Sequence, residues 1–177
     1  MPRRTYAEGE AQRLALEYFG GDELRAAVFL QRYALRDPDG RLLEATPEEM
    51  WRRLAQRAAR VEKGGEGKFL WLFSDFRFVP GGRILFGLGN WRKSTLFNCY
   101  FLPIREDSVR GITRFLDEAA RTFAYGGGVG TNADVLRPKG AKVGNAGVES
   151  SGAVSFMELF STPVSYTHLT LPTNREV

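Results

Sequence analysis

The chain holds one thiol, Cys99, between Asn98 and Tyr100, and one imidazole, His168, near its C-terminal end. A redox dithiol needs a second cysteine, which these residues lack, and a nucleophilic Cys/His pair is poorly supported because the one ring, His168, sits in the C-terminal tail. A lone cysteine in an apolar run ordinarily packs as a small hydrophobe. Cations come next: Arg137, Lys139 and Lys142 in "LRPKGAKV" could hold phosphates while Asp107 of "EDS" accepts from ribose hydroxyls. The same residues read as well as solvated strand and helix ends. Ser150, Ser151 and Gly152 precede an apolar stretch, which suits an anion site and an ordinary helix cap equally. No zinc-type spacing of ligands occurs, and no metal site is expected.

The glycines of "AYGGGVGTN", 124–132, raise the question of a phosphate cradle. In the known phosphate loops the glycines follow a strand and open a helix, so that free N–H groups face the anion. The elements around this run therefore decide its use. "EDS", 106–108, offers a cap for a helix from about 108 to 124, with Val109, Ile112, Phe115, Leu116, Ala119 and Phe123 on one face. "STLFNCYFLPI", 94–104, reads as a buried strand before it, and "VGTNADVL" as a strand after it. Strand, helix, strand implies a parallel pair with a right-handed crossover. The glycines then close a helix and open a strand, the reverse of a phosphate loop. What remains is Gly126 as a left-handed cap, and Gly127, Gly128 and Gly130 as places where a backbone or a ligand comes close.

The first third reads as helical. Apolar residues over 11–19 lie near one face and Gly20-Gly21 ends that helix; Asp22 caps a second, carrying Leu24, Val28, Phe29, Tyr33 and Leu35. "DPDG", 37–40, is a turn. Thr46, Pro47 and Glu49 form the start of a third helix with a capping box, its buried stripe being Met50, Leu54, Ala58 and Val61. Arg52, Arg53, Arg57 and Arg60 fall on its solvated face. "KGGEGK", 63–68, is an exposed loop, and the aromatic segment after it is mostly buried.

The 177 residues carry 25 basic and 21 acidic side chains, a net charge of +4, and the basic residues are interspersed instead of striped. Such a surface suits anionic small molecules, and no aromatic-interleaved basic patch argues for direct nucleic-acid binding. No apolar run is long enough to cross a bilayer, and the N-terminus lacks a signal peptide's apolar stretch. A cytoplasmic, reducing setting is the expectation.

Taken in order, "FGGDELRAAVFLQRYALRDPDGRLLEATPEEMWRRLA", "STLFNCYFLPIREDSVRGI", "GGGVGTNADVLRPKGA" and "SSGAVSFMELFS" resemble the N-terminal part of the ribonucleotide reductase large subunit. The likeness is nearest to the adenosylcobalamin-dependent enzymes, class II, and runs from about residue 8 to Thr162. It implies an α/β fold: a helical N-terminal domain over 8–84, then from 85 to 162 the first strands and helices of a ten-stranded α/β barrel. It makes Cys99 one thiol of the redox dithiol, with its partner beyond Val177, and puts Asn98, Gly127 and Gly128 beside it on the wall of the ribonucleotide site. Asp107, Ser108, Arg137 and Lys142 match positions that bind a deoxynucleotide effector near a dimer interface.

The implied reaction is reduction of a ribonucleotide to its 2′-deoxy form by a thiyl radical. The resemblance adds an external thiol reductant such as a thioredoxin-like protein, a homodimer in the full-length protein, and adenosylcobalamin bound mainly by residues outside this chain. The chain alone is expected to be inactive, and no ATP-binding regulatory domain is expected before residue 8. "RILFGLGN" departs from the family's ending before this strand, so no substrate contact is assigned there. "PVSYTHLTLPTNREV", 163–177, departs from the family's continuation and reads as a foreign tail, so His168 takes no role. Two rival readings stay open, a class I large subunit served by a separate metal-radical subunit and a non-catalytic nucleotide-binding domain.

Overall fold

The computed structural model describes residues 4–144 and 147–170, with 163–170 described as helix backbone only. The side chain of His168 and residues 171–177 of the expected tail thus lie outside the described residues. The chain divides into two compact units, one ending at Leu96 and the other beginning at Phe97.

The first unit is helical: α1 Glu8–Tyr18, α2 Glu23–Arg32, α3 Pro47–Ala58, α4 Glu66–Phe73, a 3-10 turn Ser74–Phe76, and α5 Gly82–Gly87. Asp22 caps α2 by accepting from the Arg25 N–H at 3.0 Å. The Asp37–Gly40 turn closes through Gly40 N–H to the Asp37 carbonyl at 3.0 Å. At α3 the Glu49 carboxylate reaches back to the N–H groups of Ala45 (2.6 Å) and Thr46 (3.3 Å), the return half of the expected capping box. Its other oxygen accepts from the Tyr6 hydroxyl at 2.5 Å.

The apolar stripes differ in detail from the sequence reading. On α2 the core takes Ala26, Phe29 and Leu30 while Leu24 and Val28 are exposed. On α3 it takes Met50, Trp51, Leu54 and Ala55, and Val61 is exposed because the helix has ended before it. The aromatic segment after residue 68 is less buried than expected, with Phe73 and Leu85 inside but Trp71, Phe76, Phe78 and Val79 exposed. The chain breaks there into α4, the 3-10 turn and α5, with Asp75 and Phe76 both at φ 55°, so each short piece turns only one side inward.

Arg53 is the larger correction. Its side chain is 3% exposed and that of Glu44 5%, although periodicity put Arg53 among the solvated arginines. Nε donates to Glu44 Oε1 at 2.6 Å and Nη2 to Oε2 at 3.2 Å, while Nη1 and Nη2 reach the carbonyls of Leu88 (2.5 Å) and Leu85 (3.0 Å). Carbonyls at a helix C-terminus have no intrahelical donor, and the fixed fork of a guanidinium can serve several at once. Burial of Arg53 thus satisfies the end of α5 from within the core.

The second unit holds β1 Cys99–Phe101, α6 Val109–Ala124, β2 Gly128–Gly130 and α7 Ala153–Thr170. The strands pair in parallel, with Cys99 opposite Gly128, Tyr100 opposite Val129 and Phe101 opposite Gly130. The expected strand–helix–strand order therefore holds, and the two strands are the whole sheet among the described residues. Both are shorter than expected. Leu102 N–H still bonds the Gly130 carbonyl at 2.9 Å, but Pro103 then offers no donor. After Gly130, Asn132 donates to Asp134 at 2.5 Å and Leu136 N–H turns back to Ala133 at 3.1 Å, local bonds that displace a ladder. Ile112, Phe115 and Ala119 of α6 build a core with Ile104 and Leu136, and Phe160 of α7 meets Phe115 edge-on at 4.8 Å between ring centroids. Val109, expected on that face, is exposed.

Candidate functional site

The glycine run is built as the end of α6. Gly126 sits at φ 83°, its N–H bonds the Phe123 carbonyl at 2.7 Å, and Gly127 N–H bonds the Thr122 carbonyl at 2.9 Å. This pair of bonds is the Schellman motif, which needs a left-handed residue at Gly126. Gly127 is fixed by contact instead: a Cβ there would lie 2.8 Å from Tyr100 Cε2 and 2.9 Å from Thr122 Cγ2. Gly128 then turns into β2 and donates to the Asn98 carbonyl at 2.7 Å.

That turn sets the thiol. A Cβ on Gly128 would stand 3.3 Å from Cys99 Sγ and 3.4 Å from the Asn98 carbonyl oxygen. Asn98, Cys99, Gly127 and Gly128 are therefore brought together, with the bare Gly128 backbone facing the sulfur. Gly130 has only the Tyr100 carbonyl oxygen near, at 4.0 Å. Cys99 is exposed, not buried as its strand suggested. On so short a strand Cys99 and Phe101 alternate outward while Tyr100 turns toward α6 and Gly127. A thiol in that position is open to reaction.

The second constellation lies beyond the other end of the strands. Arg137 Nε donates to Asp107 Oδ2 at 2.5 Å, Nη2 to the Asp107 carbonyl at 3.2 Å, and Nη1 to the Lys142 carbonyl at 2.9 Å. Asp107, Arg137 and the Lys142 backbone thus form one cluster, with the charged pair about a third exposed. Ser108 stands apart in function: its hydroxyl accepts from Gly111 N–H at 3.0 Å and caps α6. The "SSG" segment makes a local turn, Ser150 Oγ accepting from Gly152 N–H at 3.1 Å, just ahead of α7, whose first residue is Ala153.

A third feature was not singled out by sequence reasoning. Arg105, Glu106, Arg110, Arg114, Phe115 and Glu118 line a cleft of about 310 Å³ alongside α6. The signal available for it was the spacing of Arg110 and Arg114, four residues apart on one helix face. Among the described residues no group of three or more His, Cys, Asp or Glu could hold a metal ion, and no helix is long and apolar enough to cross a membrane.

Comparisons with known proteins bear on both units. Residues 20–92 match the family described as "Ribonucleotide reductase, all-alpha domain", and residues 97–170 match "Ribonucleotide reductase, barrel domain". A vitamin B12-dependent ribonucleoside-diphosphate reductase of Mycobacterium tuberculosis is 34% identical over 153 residues, covering 80% of this chain and 22% of its own length. The ribonucleoside-diphosphate reductase subunit alpha of Chlamydia muridarum is 32% identical over 134 residues, covering 72% of this chain and 12% of its own. Among solved structures, the class Id ribonucleotide reductase alpha subunit of Actinobacillus ureae shares the fold with a TM-score of 0.63 at 24% identity, over 79% of this chain and 25% of that one. The chain thus spans a quarter or less of the length of each of these relatives.

Proposed function

Because the chain carries the all-alpha domain and the start of the barrel domain of the ribonucleotide reductase large-subunit family, we propose that it is part of an enzyme reducing ribonucleotides to 2′-deoxyribonucleotides. Cys99 is, on this reading, one of the two thiols that reduce the ribose. The observation that carries it is the exposed Cys99 sulfur facing the bare backbone of Gly128. A ribose lying on Gly128 would meet no side chain between itself and the thiol, and Asn98 would flank it. Cys99 and a second thiol outside this chain would supply two electrons and two protons. The C2′–O bond breaks, oxygen leaves as water, carbon takes hydrogen, and the two sulfurs join as a disulfide that an external thiol reductant reopens. In the full-length protein Cys99→Ser is expected to abolish multiple turnover with a dithiol reductant. Near-native rates in that variant would remove Cys99 from the reaction.

The effector reading is carried by the Asp107–Arg137–Lys142 cluster. Asp107 would take ribose hydroxyls, Arg137 and the Lys142 ammonium would take phosphates, and Ser108 would contribute by fixing the start of α6. The Asp107–Arg137 bond positions both groups before any nucleotide arrives. A homodimer, a ten-stranded barrel and a cytoplasmic setting belong to the same proposal. The domain division at 84/85 is part of the same proposal; the structure's two compact units meet at 96/97.

For the class we take the adenosylcobalamin-dependent one, supported by the relative named vitamin B12-dependent. The 310 Å³ cleft does not suit a corrin, because its charged walls enclose too little apolar space, and no residue of this chain is assigned to the cofactor. The relative named only as a subunit alpha favours the second reading, a class I large subunit. Turnover by the full-length protein with adenosylcobalamin and a dithiol, without a second subunit, would separate the two.

A further inference from the structure

We propose that the cleft beside α6 is a polyphosphate-binding site, held by the guanidinium groups of Arg105 and Arg110 and separate from the Asp107–Arg137 cluster. Three arginines and two glutamates wall it, with Phe115 as an apolar wall. Arg114 and Glu118 satisfy each other, Nε to Oε1 at 3.1 Å, which leaves Arg105 and Arg110 opposed by Glu106 alone. Elsewhere in this unit Arg114, Arg121 and Arg137 each hold a carboxylate. Arg105 and Arg110 line the cleft with no side-chain hydrogen bond or ion pair to any described residue.

Two guanidiniums against the single carboxylate of Glu106 leave a net positive charge in a concavity with a low-dielectric wall, which attracts an anion. The guanidinium fork matches phosphate oxygens two at a time. A volume of about 310 Å³ is far more than a monatomic ion needs and suits a di- or triphosphate. Arg105 and Glu106 follow β1, so the cleft opens at the carboxyl end of the parallel strands, where open α/β sheets place their ligands. Neither Asp107 nor Arg137 lines it. The inference therefore goes beyond the ribonucleotide and effector readings and does not depend on Cys99.

The test is calorimetric titration of the 177-residue chain with inorganic triphosphate at low and at near-physiological salt. Saturable binding that weakens with salt is expected. The Arg105→Ala/Arg110→Ala variant should bind about tenfold or more weakly, since charge-assisted hydrogen bonds are lost, and Arg137→Ala should stay within about twofold because it loses none of them. Both arginines are exposed, so the fold should survive; Arg110→Glu, with matched thermal unfolding, is the second variant and should abolish binding. No saturable binding to the native chain, equal affinity in the double variant, or loss confined to Arg137→Ala would each overturn the site. In the Arg137→Ala background, displacement of triphosphate by dATP would make a nucleotide the source of the phosphates, and failure to displace it a free polyphosphate; either result supports the site.

Discussion

Replacing Arg53 by alanine would leave the Glu44 carboxylate buried without its cation and the Leu85 and Leu88 carbonyls without donors. Breaking a buried pair from one side costs about 3–5 kcal/mol, so Arg53→Ala should lower the denaturant midpoint of the first unit severely. Arg57→Ala, on the exposed side of the same helix, should stay within about 0.5 kcal/mol. Equal effects of the two would contradict the buried clasp. Tyr6 gives a pH-dependent counterpart. Its hydroxyl donates to Glu49, and that bond, followed by burial and the nearby carboxylate charge, pushes its pKa up to about 12. A group whose folded pKa is raised contributes stability that is complete below its unfolded value, near 10 for tyrosine, and is lost as pH rises through the folded one. Native protein should thus exceed Tyr6→Phe by about 1 kcal/mol at neutral pH, and the gap should close between roughly pH 10 and 12. A gap that persists undiminished above that window would show that the hydroxyl proton is not what Glu49 holds.

At the scale of elements, the turn from α6 to β2 is where glycine has the most specific use. Gly126→Ala puts a Cβ at φ 83°, and Gly127→Ala drives one into Tyr100 and Thr122. Each should cost on the order of 1–3 kcal/mol, whereas Gly130→Ala, with nothing nearer than 4.0 Å, should cost less than about 1 kcal/mol. Urea denaturation of the three variants checks the order, and an equal response would mean that the Schellman geometry does not hold the turn. This turn was legible in advance because element order is written in local chemistry: Ser108 as a cap, the α6 stripe, and glycines placed after a helix. The parallel pairing of β1 and β2 followed from the same order. Strand ends were not legible, since Asn132 and Asp134 bond each other only once the chain has already turned. Arg53 was hidden for a related reason. Periodicity assigns every arginine on a polar face to solvent, while the Leu85 and Leu88 carbonyls that draw it inward come from a helix far along the chain. The proximity of Cys99 to Gly128 could be expected only from the family resemblance, because the strand register that creates it leaves no mark in spacing.

Across the whole molecule, each unit closes a core from its own residues, Ala11 to Leu85 in the first and Ile104 to Leu136 in the second. The two differ in make-up. The first is mainly helical, with isolated antiparallel bridges Tyr6–Leu42 and Arg36–Leu42, and its buried set includes Phe29, Met50, Trp51 and Leu54. The second carries a sheet that, among the described residues, has only the two parallel strands β1 and β2, with Phe97 and Phe101 exposed beside it. Unpaired edges beside apolar side chains template association with other chains, and two strands are too few for a sheet to be stable by itself. Separate expression of residues 1–96 and 97–177 follows from the unit boundary. The first piece should be helical by circular dichroism and unfold in one cooperative transition. The second should self-associate with rising concentration, and Phe101→Lys should reduce that association by placing a charge on the edge strand. A first piece without a cooperative transition would mean that its core needs the second unit. A second piece that stays monomeric with Phe101 intact would mean that the β1 and β2 edges are already protected.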